Sequence, residues 1–188
     1  MRPPAVPESV RTARLLLRSW HPTDAAVLAP VLEANVSHLG PWIPAHVATP
    51  LAPPALAERL AGFAADFAAD RAYRFALMTP DGTQVLGEVD LFPRAASGRV
   101  ALIAADHVEL GYWLDTAAMG RGFATEATRA LLDVAATLPG LTHAEIRCDA
   151  ANVPSAAVPQ RLGFHLGRTE AGVQVWRRPF PSATAAGA

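Results

Sequence analysis

The chain has no lysine: all sixteen of its basic residues are arginine. That excludes a Schiff-base lysine, the lysine of a P-loop and the phosphate-pairing lysine of a kinase. Any phosphate must be held by backbone N–H groups or by arginine. There is one cysteine, Cys148, so no internal disulfide can form, which fits a reducing compartment. No apolar run reaches about 18 residues, so no membrane span is expected. The first residues, Met1 to Glu8, lack the apolar core of a signal peptide, and the expected location is the cytoplasm. The six histidines (His21, His38, His46, His107, His143, His165) show no H-E-x-x-H or C-x-x-C spacing, and no metal is expected. The net charge is −1 with the arginines scattered, so neither nucleic acid nor an anionic membrane is an expected partner.

What is present is apolar and alanine-rich. Hydrophobic residues make up 51%, charged residues 18%, and the mean hydropathy is +0.19. That is too apolar for disorder. With 17 prolines and arginine in place of lysine, the composition fits a high-GC bacterial genome. A length of 188 residues fits one domain. Residues 9–178 are expected to form it, with flexible tails at 1–8 and 179–188.

The pattern predicts a strand over Arg14–Trp20, then a helix capped by Thr23 and bent at Pro30. A Pro-rich loop around Trp42 follows, and then a helix over Pro53–Asp70, where Leu56, Leu60, Phe63 and Phe67 share one face. From residue 73 the period becomes two. Strands are expected over Tyr73–Met78 and Val85–Phe92, around the Pro80-Asp-Gly-Thr turn, and over His107–Leu114. A helix over Phe123–Leu138, a strand over Ala144–Asp149 and a short helix over Ser155–Leu162 come next. Two closing strands, His165–Arg168 and Val173–Arg178, end the domain. This order points to α/β (mixed α+β) architecture, a single mixed sheet with helices on both faces.

The chemistry lies in Glu109-Leu-Gly-Tyr-Trp-Leu, followed by Met119-Gly-Arg-Gly-Phe-Ala-Thr-Glu-Ala. Gly120 and Gly122 permit a sharp turn and a close backbone approach. The helix that follows offers unpaired N–H donors and about half a positive charge at its N-terminus. Together these suit a diphosphate, and they need no lysine.

With Asn152-Val-Pro-Ser155 and Leu162-Gly-Phe164 added, the chain resembles the GNAT family of acetyl-CoA-dependent N-acetyltransferases. The similar branch is the ribosomal-protein N-terminal acetyltransferases of the RimJ/RimL type. The acyl-CoA loop of that family, Arg/Gln-x-x-Gly-x-Gly/Ala, is matched at Gly122 and Ala124, with Met119 standing at its first position. Trp42 in Leu-Gly-Pro-Trp-Ile-Pro also looks like that branch.

The resemblance implies the GNAT fold, its central sheet splayed beside Glu109–Leu114, with acetyl-CoA in the gap. Leu110, Tyr112, Trp113 and Leu114 would border the pantetheine. Met119, Gly120, Arg121, Gly122, Phe123, Ala124 and Thr125 would surround the diphosphate. Asn152 is a pantetheine ligand or else a helix cap. Ser155 is the proton donor to the departing thiolate or else a cap. Glu109 is the expected base or amine-orienting group. Glu88 and Asp90 follow it, and Glu88 and Trp42 are expected at the acceptor. His38 and His46 either line that pocket or are ordinary loop residues, Cys148 is a buried strand residue, and His165 is a packing residue. The implied activity is acetyl transfer to a primary amine, on a protein N-terminus or a small molecule, with a homodimer common in the branch. Met119 and Pro159 leave open a second reading, an acetyl-CoA-binding sensor or partner module without turnover.

Overall fold

Alternation of side chains decides the middle of the chain. The computed structural model describes residues 6–181. Strands β1 (Ser9–Arg11) and β2 (Leu16–Ser19) pair as a hairpin. Helices α1 (Ala25–Ala34), α2 (Val36–Leu39), α3 (Ala45–Ala48) and α4 (Pro53–Ala68) follow. Next come β3 (Tyr73–Met78), β4 (Val85–Ala95), the two-residue β5 (Gly98–Arg99) and β6 (His107–Leu114). Helix α5 (Phe123–Ala136), β7 (His143–Asp149), α6 (Val153–Arg161), β8 (His165–Glu170) and β9 (Val173–Pro179) complete the order. One mixed sheet runs β1-β2-β3-β4-β6-β7-β9-β8, with β5 paired to β4.

The sheet is covered on both faces, and β3 shows why its six residues are all buried. Tyr73, Phe75 and Leu77 pack with Phe123, Ala127 and Leu131 of α5. Ala76 and Met78 point the other way, into a second core with Trp20, Leu28, Leu32, Leu56 and Leu60. A strand buried on both faces is apolar at nearly every position. Arg74 is the exception, and it is ion-paired to Glu88 and Asp90.

The boundaries differ from expectation in places. Val6 is buried in the first core, and the Ser19 N–H donates to the Glu8 carbonyl. At the other end the Phe180 N–H donates to Thr142. The packed domain therefore reaches beyond 9–178 on both sides, while the outer parts of the expected tails, 1–5 and 182–188, lie outside the described residues. Thr23 does not cap α1: Asp24 stands at its N-cap with no side-chain bond, and His21 caps the 3₁₀ turn Pro22–Asp24 just before it. The His21 side chain accepts from the Thr23 N–H, and Asp24 returns a bond to the His21 N–H. His165 is exposed rather than packed.

Gly87 marks a β-bulge where β3 and β4 shift register. Its φ is +153°, and an added Cβ would lie 2.1 Å from the Trp113 carbonyl oxygen. The three nearest atoms are all backbone of Trp113 and Leu114, so no side chain can move aside to relieve the contact. Gly87→Ala is expected to cost about 3 kcal/mol or more, strain and overpacking combined. For a chain of this size that is a fall in Tm of about 6–12 °C, measured by circular dichroism. An unchanged Tm would show that the bulge can relax.

Candidate active site

The site begins where the sheet comes apart. Strands β6 and β7 are parallel and pair only from His107–His143 to Leu110–Ile146. Beyond that, β7 continues against β9 through Asp149, while Gly111–Leu114 of β6 stay with β4. The β7-facing edge of Gly111–Leu114 has no strand partner, so its peptide groups can meet a ligand.

A cavity of about 650 Å³ lies over this gap. Tyr112, Trp113 and Leu114 line it from β6, Met119, Gly120 and Gly122 to Thr125 from the turn and α5, and Asn152 and Ser155 from α6. Two expected cofactor residues fall outside. Leu110 is buried in the first core, below the point where the strands part. Arg121 lays its guanidinium over the Phe123 ring, 4.7 Å from the centroid. Its carbonyl accepts from the Arg14 guanidinium at 2.9 Å.

The turn is built for an anion. Gly120 and Gly122 have φ of +71° and +78°, and no side chain caps the N-terminus of α5. Its first N–H groups are left for a ligand. Two contacts fix the turn. Glu126 in the first turn of α5 accepts from Thr12 Oγ1 at 2.6 Å and from the Arg14 backbone N–H at 3.0 Å. Burial works against the Glu126 charge, yet these bonds and the Arg14 ion pair hold its carboxyl below the usual range. Asn35, at the end of α1, receives the Thr116 N–H at 2.9 Å and anchors the loop leading in.

Sequence reasoning missed Arg14, Arg129 and Arg161, which line the same cavity. One signal was available: without lysine, phosphate charge has to be met by arginine. Arg129 stands seven residues after Gly122, on the same helical face.

Helix α6 settles the two capping alternatives. Asn152 is the cap: its Oδ1 accepts the Ser155 N–H at 3.2 Å, and the residue lines the cavity. Ser155 is inside the first turn, so it is not the cap. Pro159 lies within α6 and has no N–H to give the Ser155 carbonyl four residues earlier. Tyr112 fills that place. Its hydroxyl donates to the Ser155 carbonyl at 2.8 Å and receives a bond from Ser155 Oγ at 3.3 Å. Burial keeps this phenol protonated, its pKa raised despite the Ser155 hydrogen bond.

A second cavity of about 200 Å³ adjoins the first, and both are lined by Trp42, Ile43, Tyr112, Trp113, Asn152 and Ser155. It is the more charged of the two: His46, Arg74, Glu88, Asp90, Arg99 and Glu109 face it. Trp42 is 40% exposed at the junction. Glu109 Oε2 is 2.5 Å from Arg94 and 3.5 Å from Arg147, so its charge is already met. Glu88, placed by the sequence at the acceptor, has both oxygens engaged. Oε2 accepts from Trp20 at 2.6 Å and Oε1 from Arg74 at 2.9 Å. His38 lines the first cavity and His46 the second. Burial and nearby Arg74 and Arg99 lower the pKa of His46, so it is neutral at pH 7. Cys148 is buried in β7, and burial raises its thiol pKa against bonds from Trp176 and Ser155.

One cluster of metal-ligand types occurs among the described residues: His107, His143 and Glu145. The imidazoles are stacked 5° from parallel, so their lone pairs run side by side, and Arg177 and Arg147 occupy Glu145. That is unlike a converging ligand set. Among the described residues no helix is long and apolar enough to cross a membrane.

A split parallel pair, a glycine turn feeding a helix N-terminus and a cavity over the gap define an acyl-CoA-dependent transferase. The acetyltransferase (GNAT) domain family matches residues 14–165, and the chain belongs to that family. It is an N-acetyltransferase that draws on acetyl-CoA and is similar to the RimJ and RimL proteins. A putative ribosomal N-acetyltransferase of Bacillus subtilis, YdaF, is 26% identical over 160 residues, 80% of this chain and 77% of the relative. RimL, the ribosomal L7/L12 α-N-protein acetyltransferase solved with coenzyme A, superposes with a TM-score of 0.76 at 18% identity. The match covers 92% of this chain and 98% of RimL. RimJ of Mycobacterium smegmatis, solved with CoA-disulfide, gives 0.73 at 24%, over 88% and 81%.

Proposed function

We propose that the protein carries an acetyl group from acetyl-CoA directly to a primary amine in a ternary complex, with a protein α-amine as the preferred acceptor and small-molecule amines as the alternative. The observation that carries this is the junction of the cofactor cavity with a more charged acceptor cavity at Ser155 and Tyr112. The names of YdaF and RimL, ribosomal acetyltransferases, support an α-amine acceptor.

The chemistry follows from the residues. The N–H groups after Gly122 hold the diphosphate, assisted by Arg129 and Arg161, and the open edge of Gly111–Leu114 binds the pantetheine with Asn152. The amine must be neutral to attack. An α-amine, with pKa about 7.7–8.0, is about 10–20% neutral at pH 7, and a lysine amine, near 10.4, under one in a thousand. The nitrogen attacks the thioester carbonyl, the C–S bond breaks, and the Ser155 hydroxyl swings from Tyr112 to protonate the sulfur. Glu109, its Oε2 fixed by Arg94 and Arg147, orients the acceptor as a hydrogen-bond acceptor through Oε1, and Trp42 packs beside it. A cytoplasmic location fits the lone reduced cysteine. A homodimer, which the resemblance implies, is checked by the mass in solution.

The test is CoA thiol release with a panel of N-terminal peptides and small amines. Turnover on peptides supports the reading. Tight acetyl-CoA binding with no acceptor turned over would support the sensor instead. In the same assay Glu109→Gln is expected to raise KM for the amine several-fold with kcat little changed, as for a group that orients rather than reacts. An unchanged KM would remove Glu109 from the acceptor site.

A further inference from the structure

We infer that Asp90 is the group that takes the proton from the acceptor amine. This rests on the transferase reading above and names a catalytic residue for it. Asp90 on β4 pairs with Gly111 on β6, the first residue past the point where β6 and β7 part. It lines the charged cavity and is 6% exposed. Its Oδ2 is 3.3 Å from the Arg74 guanidinium. Its Oδ1 is buried without a hydrogen-bond partner among the described residues. A buried polar atom with no partner costs about 1–3 kcal/mol, so a ligand that satisfies it is favoured. The two neighbouring carboxylates differ: Glu88 has both oxygens taken, and Glu109 is held by two arginines.

Gly111, on the wall of the same cavity, leaves the space beside the buried Asp90 carboxyl open. A Cβ on Gly111 would lie 3.3 Å from Asp90 Oδ2 and 3.6 Å from the Phe92 ring. The charged groups around Asp90 are Arg74 on β3, Glu88 on β4 and Arg99 on β5, with neutral His46 of α3, the paired Glu109 of β6 and Arg147 and Asp149 of β7 on the same cavity. Burial, and then the Glu88 charge, push the Asp90 carboxyl well above the usual range against Arg74 and Arg99. That brings it nearer to the amine it must deprotonate.

The step balances. The ammonium N–H bond breaks and its proton passes to the Asp90 carboxylate. The neutral nitrogen forms the C–N bond as the C–S bond breaks. The proton lost from nitrogen in forming the amide is balanced by the one the thiolate gains through Ser155, and Asp90 returns its proton to solvent between turnovers.

The experiment uses the full chain with acetyl-CoA, an α-amine peptide and a lysine-type amine. Asp90→Asn is expected to lower kcat/KM about a hundredfold near neutral pH, the lower end for general base catalysis. Calorimetric affinity for acetyl-CoA stays as in the wild type. The deficit shrinks as pH approaches the pKa of the amine, because a neutral amine needs no acceptor, and it is larger for the lysine-type amine. A merely structural role would not produce that dependence. Gly111→Ala, with ordinary strand backbone, is expected to lose rate in the same direction. An Asp90→Asn variant as active as the wild type, or a deficit independent of pH, would each overturn the inference. A wild type without turnover on any amine is a failure of the transferase reading, which this comparison separates.

Discussion

Alanine at position 155 is expected to lower kcat by about 10²–10⁴-fold, the range for losing a general acid. The structure makes this a clean substitution. Asn152 caps α6, so Ser155→Ala removes no cap. Alanine is the best helix former, so the helix loses nothing intrinsically. The Ser155 carbonyl keeps its bond from Tyr112, since that bond is to the main chain. What goes is one hydroxyl, bonded to Tyr112 at 3.3 Å, on the wall shared by the two cavities. Acetyl-CoA affinity, measured by calorimetry, should be as in the wild type. If kcat instead stays within a few-fold, Ser155 has no part in thiolate departure and Tyr112 becomes the hydroxyl to remove.

The second large effect falls on binding. Gly122→Val puts a β-branched residue at φ +78°, at the N-cap of α5. Space is not the obstacle, because the nearest atom to an added Cβ is the end of the Arg14 side chain at 3.6 Å. The cost is in the backbone: about 1–2 kcal/mol for an ordinary residue in the left-handed region, more for a branched one. If the turn moves to escape that cost, its N–H groups no longer converge on the diphosphate. An affinity loss of about 30-fold or more for acetyl-CoA is expected, from that strain and the misplaced donors together. Calorimetry on folded variant and wild type decides it; equal affinities would take the diphosphate away from this turn.

The sequence made the long elements legible for a plain reason. Tyr73–Met78 and His107–Leu114 have the expected bounds because an apolar run stops at the Pro-Asp-Gly turn and an alternating one at the Gly-rich turn. Strands β1 and β5 and helices α2 and α3 have two to four residues, too few to show any period. The glycine turn, Asn152 and Ser155 were legible because their chemistry is local. The Arg94 and Arg147 clamp on Glu109 was not, because both partners reach it from neighbouring strands and the contacts depend on register. The same register decides that Glu88 spends its oxygens on Trp20 and Arg74 while Asp90 keeps one free.

Pro159 stood out in the sequence as a residue that breaks helices, and α6 runs through it. The carbonyl it leaves vacant is taken by the Tyr112 hydroxyl, from the strand across the gap. Positions 112 and 159 are thus energetically coupled. A residue with an N–H at 159 would compete with the phenol for one carbonyl, and phenylalanine at 112 would leave that carbonyl bare. Substitution at either position is therefore conditional on the other: Tyr112→Phe costs a hydrogen bond while the proline stays, and less once a residue with an N–H stands at 159.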